Sequence, residues 1–312
     1  MKLKMIKSAI AMSVLLASAS AFSSPITNWY FETSLTFNNG VTQSPGIDIN
    51  QPGELAWGDD NGAYKVFEDG EWINAGTESD GGGRSALTIG DPEQDPGIIE
   101  TQVTGNVLTG GFAEGNTMTH WNNPISDQPY LLSGSLIDNL KLWEADGDGN
   151  AVGDMIKEDT LNIDFSFLET PNRNTGDQCN GFAGADNPDD PGSIYAHCPD
   201  LWAVSNDPFS NPTQFTHDGW VYQVNVIVLR DGIPVDITDE LLEIAECQDV
   251  FDDTDYATKC VGFRTAEEFV TTIGFGLAPT VVGAVPLPAA AWLFGSALLG
   301  FVGYNRRKNR KT

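Results

Sequence analysis

Four groups of residues in this chain have the types and spacing to do chemistry. The first lies in GNTMTHWNNPI, residues 115–125, and carries His120, one of only three histidines. An imidazole there has the chemistry of a ligand or a general base, with Thr119 and Asn122 as hydrogen-bonding neighbours. No second catalytic group accompanies it in sequence, and Asn122, Asn123 and Pro124 are turn formers. The first expectation is therefore structural, a buried and hydrogen-bonded histidine that fixes the turn after a strand. The second group is EADGDGNAVGD, residues 144–154. Asp146, Asp148 and Asn150 stand at the alternate spacing that lets side-chain oxygens converge on Ca²⁺, and Asp154 falls at the ninth loop position. Ala151 occupies the place where such a loop needs glycine, and Lys157 the place of a bidentate Glu. The stretch reads as a solvated acidic turn first and as a weak, millimolar calcium site second.

The third group is the four cysteines, Cys179, Cys198, Cys247 and Cys260. They admit three pairings. Local pairing, Cys179 with Cys198 and Cys247 with Cys260, closes two short loops, each worth roughly 3 kcal/mol in the chain-entropy account. His197 beside Cys198 invites zinc, but the spacings match no C-x₂-C pattern. The fourth group is the C-terminal stretch from residue 285 to 312, which opens on Val285, Pro286, Leu287, Pro288 and Ala289. An apolar run to Tyr304 follows, and then Arg306, Arg307, Lys308, Arg310 and Lys311. From Leu287 to Tyr304 is 18 residues, about 27 Å as a helix, slightly short for a hydrocarbon core of roughly 30 Å. The basic end places that terminus on the cytoplasmic side.

The elements that carry these groups are mostly strands. Trp29, Phe31, Leu35 and Phe37 alternate with polar positions, as do Leu161, Ile163, Phe165 and Phe167 in LNIDFSFL, and Phe269, Thr271, Ile273, Phe275 and Leu277 near the end. Period two means a half-buried strand. Residues 220–230 are apolar on both alternating sets, which fits a strand covered on both faces. Asp69-Gly70 between two short apolar runs predicts a hairpin over residues 64–73. Further strands are expected at 85–89, 98–103, 116–120 and 131–143, and only residues 239–247 carry a helical pattern. With 33 Gly and 17 Pro, the class expected is all-β, an antiparallel β-sandwich.

The N-terminus is a basic MKLKMIK, an apolar core over residues 9–17 and the small-residue run ASASA, with Ala19 and Ala21 fitting a cut after residue 21. This is the pattern of a secretory signal peptide, which implies the Sec translocon and signal peptidase as partners and an oxidising destination that favours disulfides. The organisation expected is a signal peptide at 1–21, an exported β-sandwich domain at 22–279, a linker at 280–284 and a sorting tail at 285–312. The formal net charge is −28, and 8 of the 16 basic residues sit at the two ends, leaving 8 against 44 acidic residues, a charge near −36 for the body. A body so acidic repels phosphate, which argues against nucleic acid and anionic lipid as ligands. Motifs of serine hydrolases, zinc proteases, nucleotide-binding loops and dinucleotide folds are missing from the sequence.

The two ends and the middle motif together resemble a known family. The tail with VPLPA, an apolar helix and a basic end resembles a PEP-CTERM sorting signal, the tag recognised by exosortases in Gram-negative bacteria. T-H-W-N, Thr119 to Asn122, resembles the signature of the THxN family of such proteins, and FLETPN (167–172) and CVGFRTAEEF (260–269) are similar to segments of that family. Leu287 stands where the name-giving motif has Glu. The resemblance implies export, transient anchoring in the inner membrane through the C-terminal transmembrane helix, processing by an exosortase and a final place at the cell surface or outside the cell, often with extracellular polysaccharide or biofilm matrix. It implies no catalytic residues. The function expected is that of a non-enzymatic surface or matrix protein. Two readings from other classes stand beside it: a carbohydrate- or calcium-dependent adhesin using Trp57, Trp72, Trp121, Trp143, Trp202 or Trp220 as a platform, and a secreted hydrolase with two carboxylates in a cleft.

Overall fold

The computed structural model describes residues 23–42, 53–58, 64–68, 71–75, 84–90, 101–122, 125, 130–170, 199–204, 209, 212–230, 232–236, 241–265 and 270–285. Alternation becomes strand wherever one face is apolar. Trp29, Phe31, Leu35 and Phe37 are buried along β1 (Asn28–Thr42), while Tyr30, Glu32, Ser34 and Thr36 between them stay half-exposed. β2 (Glu54–Gly58) follows, and then β3 (Tyr64–Glu68) and β4 (Glu71–Ala75) pair with Glu68 opposite Glu71, the hairpin expected around residues 69 and 70. β5 (Arg84–Ile89), β6 (Gln102–Leu108) and β7 (Ala113–Trp121) precede the long hairpin of β8 (Leu131–Ala145) and β9 (Ala151–Leu168). After β10 (Asp200–Val204), β11 (Thr213–His217) and β12 (Trp220–Arg230) come the short β13 (Ile233–Pro234) and β14 (Leu241–Leu242). The helix α1 (Ile244–Phe251) and the strands β15 (Cys260–Thr265) and β16 (Val270–Ala284) complete the described chain.

The chain divides into a large unit, Ile26–Thr213 with Gln223–Thr280, and a small one, Met1–Pro25 with Gln214–Tyr222 and Val281–Thr312. The large unit is the antiparallel sandwich. Its first sheet runs β14-β15-β10-β9-β8-β1-β6 and its second β12-β16-β7-β5-β2, with β13 on β12. Phe37, Ile163, Phe165, Trp202 and Val204 from the first sheet meet Leu55, Trp57, Leu87, Met118 and Ile273 from the second in one core. Each such side chain taken from water stabilises by roughly 1.5–3 kcal/mol. A second, smaller core lies on the outer side of β10, where Leu201 and Ala203 are covered by Leu242, Cys247, Val250 and Cys260. The Cys247–Cys260 disulfide ties α1 to β15, which is one half of the local pairing. Cys179 and Cys198 lie outside the described residues.

The helix forms at Ile244–Phe251, which shares residues 244–247 with the expected 239–247 and starts later than Leu241. Leu241 and Leu242 are drawn into pairing with Val261 and Cys260. Glu246 Oε2 then accepts from Glu243 N at 2.7 Å and sets the start, and Asp252, at φ 49°, ends the helix. The segment 280–284, expected as a linker, is the end of β16. No helix among the described residues is long and apolar enough to cross a membrane. The expected signal peptide and residues 286–312 of the tail, including Pro286, Leu287, Pro288 and Ala289, lie outside the described residues.

In the small unit, the chain turns at Asp218 (φ 48°) and Gly219 (φ 81°). Phe215 stacks on Tyr222 with ring centroids 5.5 Å apart. Trp220 Nε1 donates to the Ser23 carbonyl at 2.8 Å, and Val285 N, the first residue of VPLPA, donates to the Gly219 carbonyl at 2.8 Å.

Candidate functional site

The strand β7 lies between β5 and β16, with His120 opposite Leu87 on one side and Thr271 on the other. Alternation sends the THWN side chains in two directions. Thr119 and Trp121 share one face. There the Thr119 hydroxyl donates to the Gly90 carbonyl at 3.3 Å, and Trp121 Nε1 donates to Thr88 Oγ1 at 2.8 Å beside Ala56 and Ala86. His120 points into the main core. Its ring stacks on Trp57 (centroids 5.7 Å apart, planes 24° apart) and meets Phe167 edge-on at 5.0 Å. All four motif residues are buried, His120 with no exposed surface.

Among the described residues, two side-chain hydrogen bonds and one longer polar approach cross from the second sheet to the first around this ring. Asn122 Nδ2 donates to the Thr265 carbonyl at the end of β15, at 2.8 Å. Trp57 Nε1 donates to Glu169 Oε2, just past β9, at 2.7 Å. His120 Nε2 stands 3.9 Å from Oδ2 of Asp200, the first residue of β10. Asp200 Oδ1 in turn accepts from Thr170 N at 2.8 Å and from its hydroxyl at 3.2 Å. The arrangement is a staple that closes one end of the sandwich.

Burial decides the charge of its two titrating centres. Desolvation lowers His120 from 6.5 to about 3, so the imidazole is neutral at ordinary pH. Desolvation first, and the nearby Glu169 charge second, raise Asp200 well above its ordinary 3.8. The imidazole is thus uncharged, and the Asp200 carboxyl beside it holds its proton to higher pH than an exposed carboxylate would. A fully buried base with so low a pKa is poorly matched to proton transfer near pH 7. The expected burial of His120 holds; the expected hydrogen bond does not, since no described residue bonds either ring nitrogen. Packing of Trp57, Phe167 and Phe263 positions the ring instead.

The described parts of the three segments that carry the family resemblance meet here. Residues 119–122 supply His120 and Asn122, 167–172 supply Phe167, Glu169 and Thr170, and 260–269 supply Phe263 and Thr265. Asp200 and Trp57 are partners that the sequence reading missed. Both sit in short strands buried on both faces, where no periodicity marks them, and only the acid in the otherwise apolar DLWAV was a signal.

The other candidates fall elsewhere. In the β8–β9 turn, Asp146 Oδ1 accepts from Asp148 N and Asn150 N, each at 2.9 Å. Those donors, Asn150 first, hold its carboxyl below the usual range. Asp148 and Asn150 are exposed in the turn and Asp154 is exposed on β9. Among the described residues, no group of three or more His, Cys, Asp or Glu side chains is placed to hold a metal. Of the tryptophans, Trp57, Trp121 and Trp202 are core. Trp143 is half-exposed on the outer face of β8, edge-on to Tyr30 at 5.8 Å. The side chain of Trp72 lies outside the described residues. Two carboxylates do share a cavity: Asp138, held by the Thr33 hydroxyl and pushed up by burial, and Asp159, held by the Thr213 hydroxyl at 2.6 Å. That cavity is about 30 Å³, room for a water molecule and not for a sugar ring.

Compared with protein-family models and with curated proteins, the chain matches none.

Proposed function

We propose that this chain is a non-enzymatic surface or matrix protein. It is exported through the Sec translocon, trimmed by signal peptidase, and anchored transiently in the inner membrane by its C-terminal helix. An exosortase then processes the tail, and the β-sandwich is left at the cell surface or released, in company with extracellular polysaccharide. The supporting observation is the convergence of residues 119–122, 167–170 and 260–265 on one closed staple. A motif set committed to joining two sheets belongs to a scaffold, and leaves the outer surface for recognition. The sequence of the two ends supplies the route: small residues Gly295, Ser296, Gly300 and Gly303 make the tail helix a modest permanent anchor that suits packing against another membrane protein.

Mass spectrometry of the protein recovered from the cell surface and the medium tests this reading. The expected termini are Phe22 at the start and an end ahead of the basic cluster that begins at Arg306. A chain ending at Thr312 contradicts it and leaves a plain single-pass anchor.

A further inference from the structure

The outer face of the first sheet is open where the inner face is closed. Along β9, Phe165 and Phe167 point inward, and Asp164 and Ser166 point outward. Ser133 lies opposite Ser166 and Ser135 opposite Asp164, so hydroxyls and a carboxylate stand side by side on adjacent strands. The pairing of β1 with β8 shifts register between Asn38 and Val41, next to Asn39, which adopts φ 54°. That irregularity bounds one side of a groove. On the other side α1 rises over β9 and β10 and presents Phe251 from its last turn. Between bulge and helix lies an open groove of about 480 Å³, lined by Asn39, Ser133, Ser135, Asp164, Ser166 and Phe251.

We propose that this groove binds a segment of a neutral glycan, a hexopyranose chain carrying no carboxylate, sulfate or phosphate. Its volume falls in the range of small-molecule sites, which runs from roughly 300 to 1,000 Å³. The chemistry is that of a polyhydroxylated ligand: serine hydroxyls and the Asn39 amide both donate and accept, and Asp164 accepts strongly. Ser135 Oγ already donates to Asp164 Oδ1 at 2.6 Å, which fixes the carboxylate without burying it. Phe251 supplies the apolar wall on which the C–H face of a sugar packs. Charge selects within the class, since among the described residues the groove holds one carboxylate and no basic side chain, on a body near −36. An acidic polysaccharide is repelled. The wall is preorganised, because Cys247–Cys260 and the ion pair of Arg264 with Glu246 fix α1 to β15.

This site goes beyond the sorting reading and stands or falls apart from it, because it rests on the groove alone. The test is calorimetric titration of the full chain in detergent with neutral hexasaccharides of glucose, mannose, galactose and N-acetylglucosamine, and with a hexauronate. The expected result is binding of at least one neutral hexasaccharide, none of the hexauronate, a loss of at least tenfold in affinity in Ser135→Trp, and about tenfold in Asp164→Ala. Both positions face outward, and circular dichroism checks that each variant keeps its fold. No binding of any neutral hexasaccharide at millimolar concentration overturns the proposal, as does binding that both variants leave unchanged. A dimer that Ser135→Trp dissociates makes the occupant a second copy of the chain and overturns it equally. Uncut termini in the exported protein would leave this result untouched.

Discussion

The two faces of one stretch of β9 do opposite work. Inward, Phe165 and Phe167 pack with Trp57, His120 and Trp202 at the closed staple. Outward, Asp164 and Ser166 line a groove open to solvent. Each face depends on the other through the pleat, since a slip of one residue would carry the aromatics to the surface and the polar pair into the core. The lesson is that a histidine motif with catalytic-looking neighbours belongs here to the closed face, while the residues suited to recognition are plain serines one position away.

The difference can be broken from the inside first. Trp57→Ala removes a fully buried ring and the donor to Glu169, and is expected to lower stability by about 4 kcal/mol in denaturant unfolding. A loss below about 1 kcal/mol would mean the staple does not hold the sheets. Next in size is the double variant Cys247→Ser, Cys260→Ser. Opening its 13-residue loop is expected to cost about 3 kcal/mol and to loosen the groove wall, with a weaker calorimetric response to glycan as the second readout. The smallest effect belongs outside. Ser166→Ala on the groove floor is expected to leave stability within about 0.5 kcal/mol of the parent, and a larger loss would show that the outer face also carries the fold.

Much of the sandwich was legible because many of its strands are wet on one side. β1 and β9 alternate cleanly, and so announce both their type and their inward residues. β2 and β10 do not. Leu55, Ala56 and Trp57 are all buried, with Leu55 and Trp57 in the main core and Ala56 in a separate cluster, and Trp202 and Leu201 likewise feed two different cores. A strand covered on both faces loses its period. The helix was displaced for a related reason: Leu241 and Leu242 read as helix by pattern and were taken by a strand edge that only the tertiary fold supplies. At the site, the burial of His120 was legible from its single, partnerless place between a strand and a turn. Asp200 was not, because 80 residues separate it from His120 and the contact exists only between two packed sheets. The groove was invisible in sequence, since it needs a bulge in β1, a pairing of β8 with β9 and the end of a helix at one point.

The burial of His120 against Asp200, which lowers one pKa and raises the other, is the central physical claim, and linkage tests it directly. A base whose folded pKa is depressed loses stability as pH falls below its unfolded value of 6.5, down toward about 3. An acid whose folded pKa is raised loses stability as pH rises above its ordinary 3.8. From about pH 4 upward, as far as the raised pKa of Asp200 or the 6.5 of an unfolded histidine, whichever is lower, the two slopes oppose each other in the parent. Asp200→Asn removes one of them. Denaturant unfolding of the parent and Asp200→Asn across that window should show the variant losing stability relative to the parent by about 1.4 kcal/mol for each unit that pH falls. Parallel curves would contradict a raised Asp200 buried against His120 and with it the closed staple.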